Sequence, residues 1–354
     1  MKVGIITYYD VTNYGSFLLA YAMQHTLTEL GHEAVFLKYV RHKDVENKRT
    51  FMGKLRSFSP NAIKARNAEK AKIKVFEECR EKYLNVGDYY DAPQDLDCII
   101  CGSDQIFDCK YEFNAFQFAI DAPCRNKISY APSFGEFLFS DLENFRNVDR
   151  LKDALSDFKA HSARDDNTLK IIESLTGKRP IRVVDPAILY GYKDEKKIWN
   201  DILVKDRYMI IYTWGGTTAS QEFVDNVKTF AKKNDLKTVS VGDRRPWCDI
   251  DYSSASPIEF FELYQHCDMV ITNMFHGTCF SILNRKPFYS LVMPHNKNKL
   301  GNLLQSFGLE KQAVTDLKDI GSKCIPIIDY KKAYEEIERQ KQISIQYLQF
   351  ALEV

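Results

Sequence analysis

Apolar runs that end in polar or glycine-bearing clusters, each followed by a stretch of helical period, recur along this chain. Residues 3–8 read as a buried strand, 10–15 as a loop, and 16–30 as a helix with Leu19, Met23, Leu27 and Leu30 at helical spacing before Gly31. A strand at 34–37 closes the first strand–helix–strand unit, and further strands are predicted at 98–101, 127–130, 158–163 and 181–184. A second series begins at 208–212 and continues at 237–241, 269–271 and 287–291. Within it, Ser256-Pro257-Ile258-Glu259 is a capping box with proline at the first helical position, which marks a helix start. A last helix is predicted over 330–352. The alternation is that of an α/β protein built on parallel sheets.

Length divides this pattern in two. With 354 residues and 45% hydrophobic content, the chain exceeds the roughly 250–300 residues at which single cores stop growing. Residues 1–190 are read as one domain and 205–330 as a second, facing each other across a cleft. The boundary falls at 186–206, where Lys193-Asp194-Glu195-Lys196-Lys197 is charged and aperiodic. Residues 331–354 are expected to pack back on the first domain. The balance of 49 Lys+Arg against 48 Asp+Glu supplies no global field for nucleic acid. Nine cysteines, an odd number, and a start that runs straight into a strand point to reduced thiols and a cytoplasmic location. No apolar run approaches the roughly 20 residues that span a bilayer. Cys98 and Cys101 lie three apart on a predicted strand, so their sulfurs face opposite ways and cannot share a metal; no metal site is expected.

In an open parallel sheet, ligands bind beyond the carboxyl ends of the strands. The clusters there are Asn13-Tyr14-Gly15-Ser16, Gly102-Ser103-Asp104-Gln105, Pro132-Ser133-Phe134-Gly135, Ser162-Ala163-Arg164-Asp165 and Asp185-Pro186. The second series adds Thr272-Asn273-Met274-Phe275-His276-Gly277-Thr278, in which a strand stops at a histidine and a helix follows directly. Helix-start N–H groups attract an anion, so His276 is read as a proton-handling group beside a bound phosphate or carboxylate. The competing reading is a core histidine satisfied by one hydrogen bond. Taken singly the other clusters have plain explanations: glycines make turns, Ser16 caps a helix, and Asp185 starts a turn before proline.

The ordered set resembles the polysaccharide pyruvyl transferase family over about residues 1–310. The residues that carry the resemblance are Asn13-Tyr14-Gly15-Ser16, Gly102-Ser103-Asp104-Gln105, Ser129-Tyr130-Ala131 with Ser133-Phe134-Gly135, Ser162 with Arg164-Asp165, Asp185-Pro186 with Leu189, and Thr272-Asn273, Phe275-His276-Gly277-Thr278 and Phe280-Ser281. The resemblance implies two Rossmann-like domains similar to GT-B glycosyltransferases, with phosphoenolpyruvate as donor and no cofactor. The product would be a pyruvate ketal on a sugar of a bacterial surface glycan or its lipid-linked precursor. It ties Arg164 and His276 to donor binding and catalysis, and places the donor on the second domain and the acceptor on the first. The chain departs from the family at Met274, Lys299 and Gln312, where serine, arginine and arginine are usual.

Ketal formation from an enol phosphate needs a proton at the methylene carbon, stabilisation of an oxocarbenium-like centre, and deprotonation of an attacking hydroxyl. His276 is assigned the acid role or contact with the departing phosphate, and Arg164 a bidentate clamp on a donor anion. Asp104 is the base, or else a loop carboxylate that accepts backbone N–H bonds. Donor contacts are expected from Arg164, His276, Gly277, Thr278, Ser281 and Lys299, and acceptor contacts from Asn13, Gly15, Ser16, Ser103, Gln105 and Ser133. Arg244 and Arg245 either face the cleft or form a solvated pair. A nucleotide-sugar glycosyltransferase is the rival reading; residues 277–309, which hold no Asp or Glu but do hold Arg285, Lys286, Lys297 and Lys299, favour a small, highly charged anion over a ribose. A non-catalytic glycan-binding role would leave His276 and Arg164 without a purpose. Finally, residues 41–74 carry eleven Lys/Arg against three Asp/Glu, interleaved with Phe51, Met52, Leu55 and Phe58. That segment is either a solvated basic excursion or a peripheral contact with anionic lipid near a lipid-linked acceptor.

Overall fold

A computed structural model describes residues 1–40, 60–294 and 296–353. Two parallel sheets account for the alternating pattern. The first has the order β3-β2-β1-β4-β5, from β1 (Lys2–Ile6), β2 (Glu33–Lys38), β3 (Val86–Tyr89), β4 (Cys98–Cys101) and β5 (Lys127–Ser129). The short pair β6 (Ser162–Ala163) and β7 (Ile181–Arg182) follows it, linked through an Ile128–Ala160 bridge. The second sheet has the order β10-β9-β8-β11-β12-β13, from β8 (Tyr208–Tyr212), β9 (Lys237–Val241), β10 (Ile250–Tyr252), β11 (Met269–Thr272), β12 (Phe288–Leu291) and β13 (Ala313–Val314). Central strands are apolar throughout because both faces are covered by helices. In β8, Met209 and Ile211 point into an apolar layer with Phe223, Val227 and Phe230, while Tyr208, Ile210 and Tyr212 point into the core shared with the first sheet.

The helices are α1 (Tyr14–Glu29), α2 (Pro60–Tyr83), α3 (Val148–Ser156), α4 (Asp166–Thr176), α5 (Pro186–Tyr190), α6 (Glu195–Ile198), α7 (Gln221–Lys233), α8 (Pro257–His266), α9 (Phe275–Leu283), α10 (Lys297–Ser306) and α11 (Tyr330–Glu353). The capping box closes at the start of α8, with Ser256 and Glu259 exchanging hydrogen bonds. Helix α1 starts two residues earlier than its periodicity predicts, since the Asn13 side chain, and not Ser16, caps it by accepting from Ser16 N at 3.2 Å. The strand expected at 158–163 is regular only at Ser162–Ala163. The edge strands β3, β10 and β13, which sequence pattern did not disclose, are short and partly exposed.

The carboxyl ends of the two sheets face each other, and the halves are packed together there. Tyr14 stacks on Phe260 with ring centroids 4.6 Å apart and donates to Ser253 O at 3.4 Å, and Lys72 Nζ of α2 donates to Gly242 O at 3.1 Å. Helix α11 bridges both: Tyr347 OH donates to Ser129 O at 2.7 Å and Ser344 Oγ accepts from Val184 N at 3.0 Å, while Tyr334 OH donates to Leu283 O at 2.9 Å. The part of the basic segment from 41 to 59 lies outside the described residues, and the rest of it opens α2. Among the described residues, no helix is long and apolar enough to cross a membrane.

Candidate active site

Four ionisable side chains from four strand ends meet where the halves touch. Asp104 follows β4 in a left-handed backbone conformation (φ 60°), which aspartate tolerates better than most residues. Arg164 follows β6, Asp185 follows β7 and caps α5, and His276 lies in the first turn of α9. Arg164 Nη2 donates to Asp104 Oδ1 at 3.3 Å and its Nη1 to Asp185 Oδ2. His276 Nε2 lies 3.5 Å from that same Asp185 oxygen. The chain Asp104–Arg164–Asp185–His276 therefore crosses from one half to the other, its last three members buried and Asp104 half-buried, with the Arg164 guanidinium 4.3 Å from the Phe275 ring centroid.

These contacts set the protonation states. Burial pushes the Asp185 carboxyl up, but His276 and Arg164 outweigh it and draw it down to about 2. Burial opposes ionisation of Asp104 too, yet Arg164, His276 and the Ser16 hydroxyl hold its carboxyl below the ordinary value. Both aspartates are carboxylates at neutral pH. The Lys299 ammonium, on α10 beside this cluster, is depressed by burial and by Arg164, against the pull of Asp104. An anion bound beside Lys299 would offset that depression.

The structure alters several sequence-based assignments. Both terminal nitrogens of Arg164 are already engaged by carboxylates of its own chain, so a donor anion would have to share the guanidinium with Asp104 and Asp185; its Nε is buried without a partner among the described residues. Asp104 accepts from Arg164 and Gln105 N with one oxygen and from Ser16 Oγ at 2.7 Å with the other, which makes it a weak base that positions Arg164 and α1. Thr278 and Ser281 are fully buried, their hydroxyls paired with Ser290 Oγ at 2.6 Å and Gly277 O at 2.8 Å, so they stabilise α9 and do not face a ligand. Gly277 is fixed by close packing, because a Cβ there would lie 2.3 Å from Thr272 Oγ1. Ser103 and Ser133 are buried, and Ser133 Oγ accepts from Gly135 N at 3.1 Å. Gln105 lies against Gly135 and is only partly exposed. Arg244 and Arg245 part company: Arg244 pairs with Asp251 at 3.2 Å near the surface, whereas Arg245 turns inward and donates to Thr213 O.

Gly15 explains why His276 can sit where it does. A Cβ at position 15 would meet His276 Nδ1 at 2.2 Å, so the first turn of α1 and the imidazole of α9 approach as closely as glycine permits. One edge of the ring faces Asp185 and the other faces Gly15. The two residues that precede the histidine line two separate cavities. Phe275 lines the first, with Arg164, Asp185 and Lys299. Met274 lines the second, with Asn13, Tyr14, Lys72, Trp214 and Asp243. Asp185, which the sequence places in the Asp185-Pro186 cluster without a chemical role, is the residue that joins Arg164 to His276.

Two facing parallel sheets with an acid–arginine–histidine cluster between their carboxyl ends define a GT-B-like architecture of two Rossmann-like halves. The sequence pattern of the polysaccharide pyruvyl transferase family matches residues 13–294, and the chain belongs to that family. No curated protein matches the sequence. Among solved structures, the chain is similar to UDP-GlcNAc 2-epimerase from Methanocaldococcus jannaschii (8% identity, 98% of this chain and 93% of that one, TM-score 0.48). It is also similar to UDP-N-acetylglucosamine 2-epimerase from Rickettsia bellii (10% identity, 99% and 96%, TM-score 0.46) and to the glycosyltransferase SnogD from Streptomyces nogalater (12% identity, 98% and 95%, TM-score 0.38).

Proposed function

We propose that this pyruvyl transferase uses phosphoenolpyruvate and forms a ketal on a saccharide, releasing phosphate. The observation that carries the reading is the position of His276, whose Nε2 lies 3.5 Å from Asp185 Oδ2 and whose ring packs against Gly15 where the two halves meet. The donor anion is drawn to the start of α9, where Lys299 and the positive end of the helix dipole offer charge while Arg164 stays neutralised by its aspartates. His276, protonated, gives its proton to the donor methylene carbon, and the developing cation is attacked by one sugar hydroxyl whose proton returns to the imidazole. The carbon–phosphate oxygen bond then breaks and a second hydroxyl attacks, its proton leaving on the phosphate, which closes the ketal. Overall, one enol phosphate and one diol give one methyl ketal carboxylate and one phosphate. A lipid-linked acceptor, with the basic segment 41–74 as a peripheral contact for anionic lipid, belongs to the same proposal.

The test is product release with phosphoenolpyruvate and a panel of saccharides. Free phosphate with a mass gain on the sugar is the expected result; nucleoside diphosphate released from a nucleotide sugar would move the protein to glycosyl transfer. His276→Gln should lower turnover by roughly 100- to 10,000-fold, the range of general acid–base catalysis. Near-full turnover in that variant would remove His276 from the chemistry.

A further inference from the structure

The cavity on the Met274 side contains an exposed tryptophan. We propose that Trp214 is the platform on which the saccharide acceptor's ring stacks, with Asn13, Glu69 and Asp243 reading its hydroxyls; this rests on the transfer reaction proposed above. The Trp214 side of the molecule is built, not loose. Trp214 N donates to Asn273 Oδ1 at 2.8 Å, Asn273 Nδ2 returns a bond to Trp214 O at 2.6 Å, and Arg245 Nη2 donates to Thr213 O at 2.5 Å. Asn273 and Arg245 are themselves buried, yet Trp214 is 69% exposed. Buried polar groups thus fix the backbone of a large apolar side chain that faces solvent over a cavity, which a merely solvated loop does not require.

The lining tells which flat ligand suits the indole. Among the described residues that line the cavity, Glu69 and Asp243 outnumber the cation Lys72. That ammonium is committed to Gly242 O at 3.1 Å and lies 5.1 Å from the Tyr14 ring centroid. A nucleoside diphosphate would bring negative charge to carboxylates. A neutral sugar offers C–H groups to the ring face and hydroxyls to Glu69, Asp243 and Asn13. The cavity, about 240 Å³, is below the roughly 300 Å³ where sites for larger ligands begin, which fits a single ring. Its walls at Asn13, Tyr14 and Met274 adjoin Gly15 and His276, so a ring there presents its hydroxyls toward the proton-transfer group.

Trp214 is one of three tryptophans, so 5-fluorotryptophan labelling gives a fluorine resonance for it that Trp214→Phe assigns. The probes are methyl β-hexosides, methyl β-N-acetylhexosaminides and UDP, each without phosphoenolpyruvate. We expect at least one glycoside to shift the Trp214 resonance saturably, UDP to leave it unmoved, and Trp214→Ala to weaken glycoside binding about tenfold in saturation-transfer titrations, with Trp214→Phe recovering most of it. About tenfold corresponds to about 1.4 kcal/mol. A resonance that no glycoside moves, one that UDP moves, or equal binding by Trp214→Ala overturns the assignment. Since these titrations contain no donor, an enzyme that fails to use phosphoenolpyruvate but whose Trp214 still responds to glycosides defeats the proposed reaction alone. One that turns over donor but shows no such response defeats the platform alone.

Discussion

Asp185→Asn probes the joint that holds the site together. Asparagine keeps the size of the side chain and can still accept from Ala187 N, the bond by which Asp185 caps α5 at 3.0 Å. It removes the charge that faces both Arg164 and His276. The carboxyl's fall from 3.8 to about 2 is equivalent to about 2 kcal/mol of native-state stabilisation at neutral pH, and breaking a buried ion pair from one side costs about 3–5 kcal/mol. A loss of about 2–4 kcal/mol at pH 7 is expected. Because the native carboxyl is depressed, its contribution is complete above the unfolded value near 4 and is lost as pH falls through about 2. The gap between wild type and variant, read from urea unfolding at pH 7, 5 and 3, should therefore shrink by about 1 kcal/mol at pH 3. A loss under about 1 kcal/mol at pH 7, or a gap that does not change with pH, would refute the account of Asp185 as the ionic joint.

Gly15→Ala should displace His276, since the new Cβ would sit 2.2 Å from Nδ1; turnover is expected to drop by about 100-fold, and a variant that gains stability as an ordinary helix substitution with unchanged kcat would show that the ring has room. Lys299→Ala should raise the Michaelis constant for phosphoenolpyruvate by about ten- to a hundredfold, from loss of a charged hydrogen bond of about 1.5–3 kcal/mol; a change confined to the acceptor constant would move Lys299 to the sugar side. His161 is buried, and burial, reinforced by Lys178, lowers its imidazole from 6.5 to about 4. Its neutral form stabilises the fold above about pH 6.5, and up to about 3 kcal/mol is lost as pH falls toward 4. His161→Leu should flatten that acid slope, and an unchanged slope in urea melts would place the acid sensitivity elsewhere.

Periodicity reached the elements and stopped at their partners. The strands at 98–101, 208–212 and 237–241 have the bounds their apolar runs predict, because a buried parallel strand must be apolar on both faces and turn residues must end it. The capping box of α8 was legible for the same local reason, and the polar clusters at strand ends marked which loops face the site. What side chains do across the interface was not legible. Thr278 and Ser281 sit in the motif with His276, yet the turn of α9 sends their hydroxyls into the core. Arg164 looked like a free fork until folding brought Asp104 and Asp185, 60 and 21 residues away, onto its two ends. Trp214 carries no local signal at all, since its exposure depends on Asn273 and Arg245 fixing the backbone beneath it. Local pattern encodes which face of an element must leave water; which charges then meet is decided by the packing of elements distant in sequence, and that determines which groups remain free for a ligand.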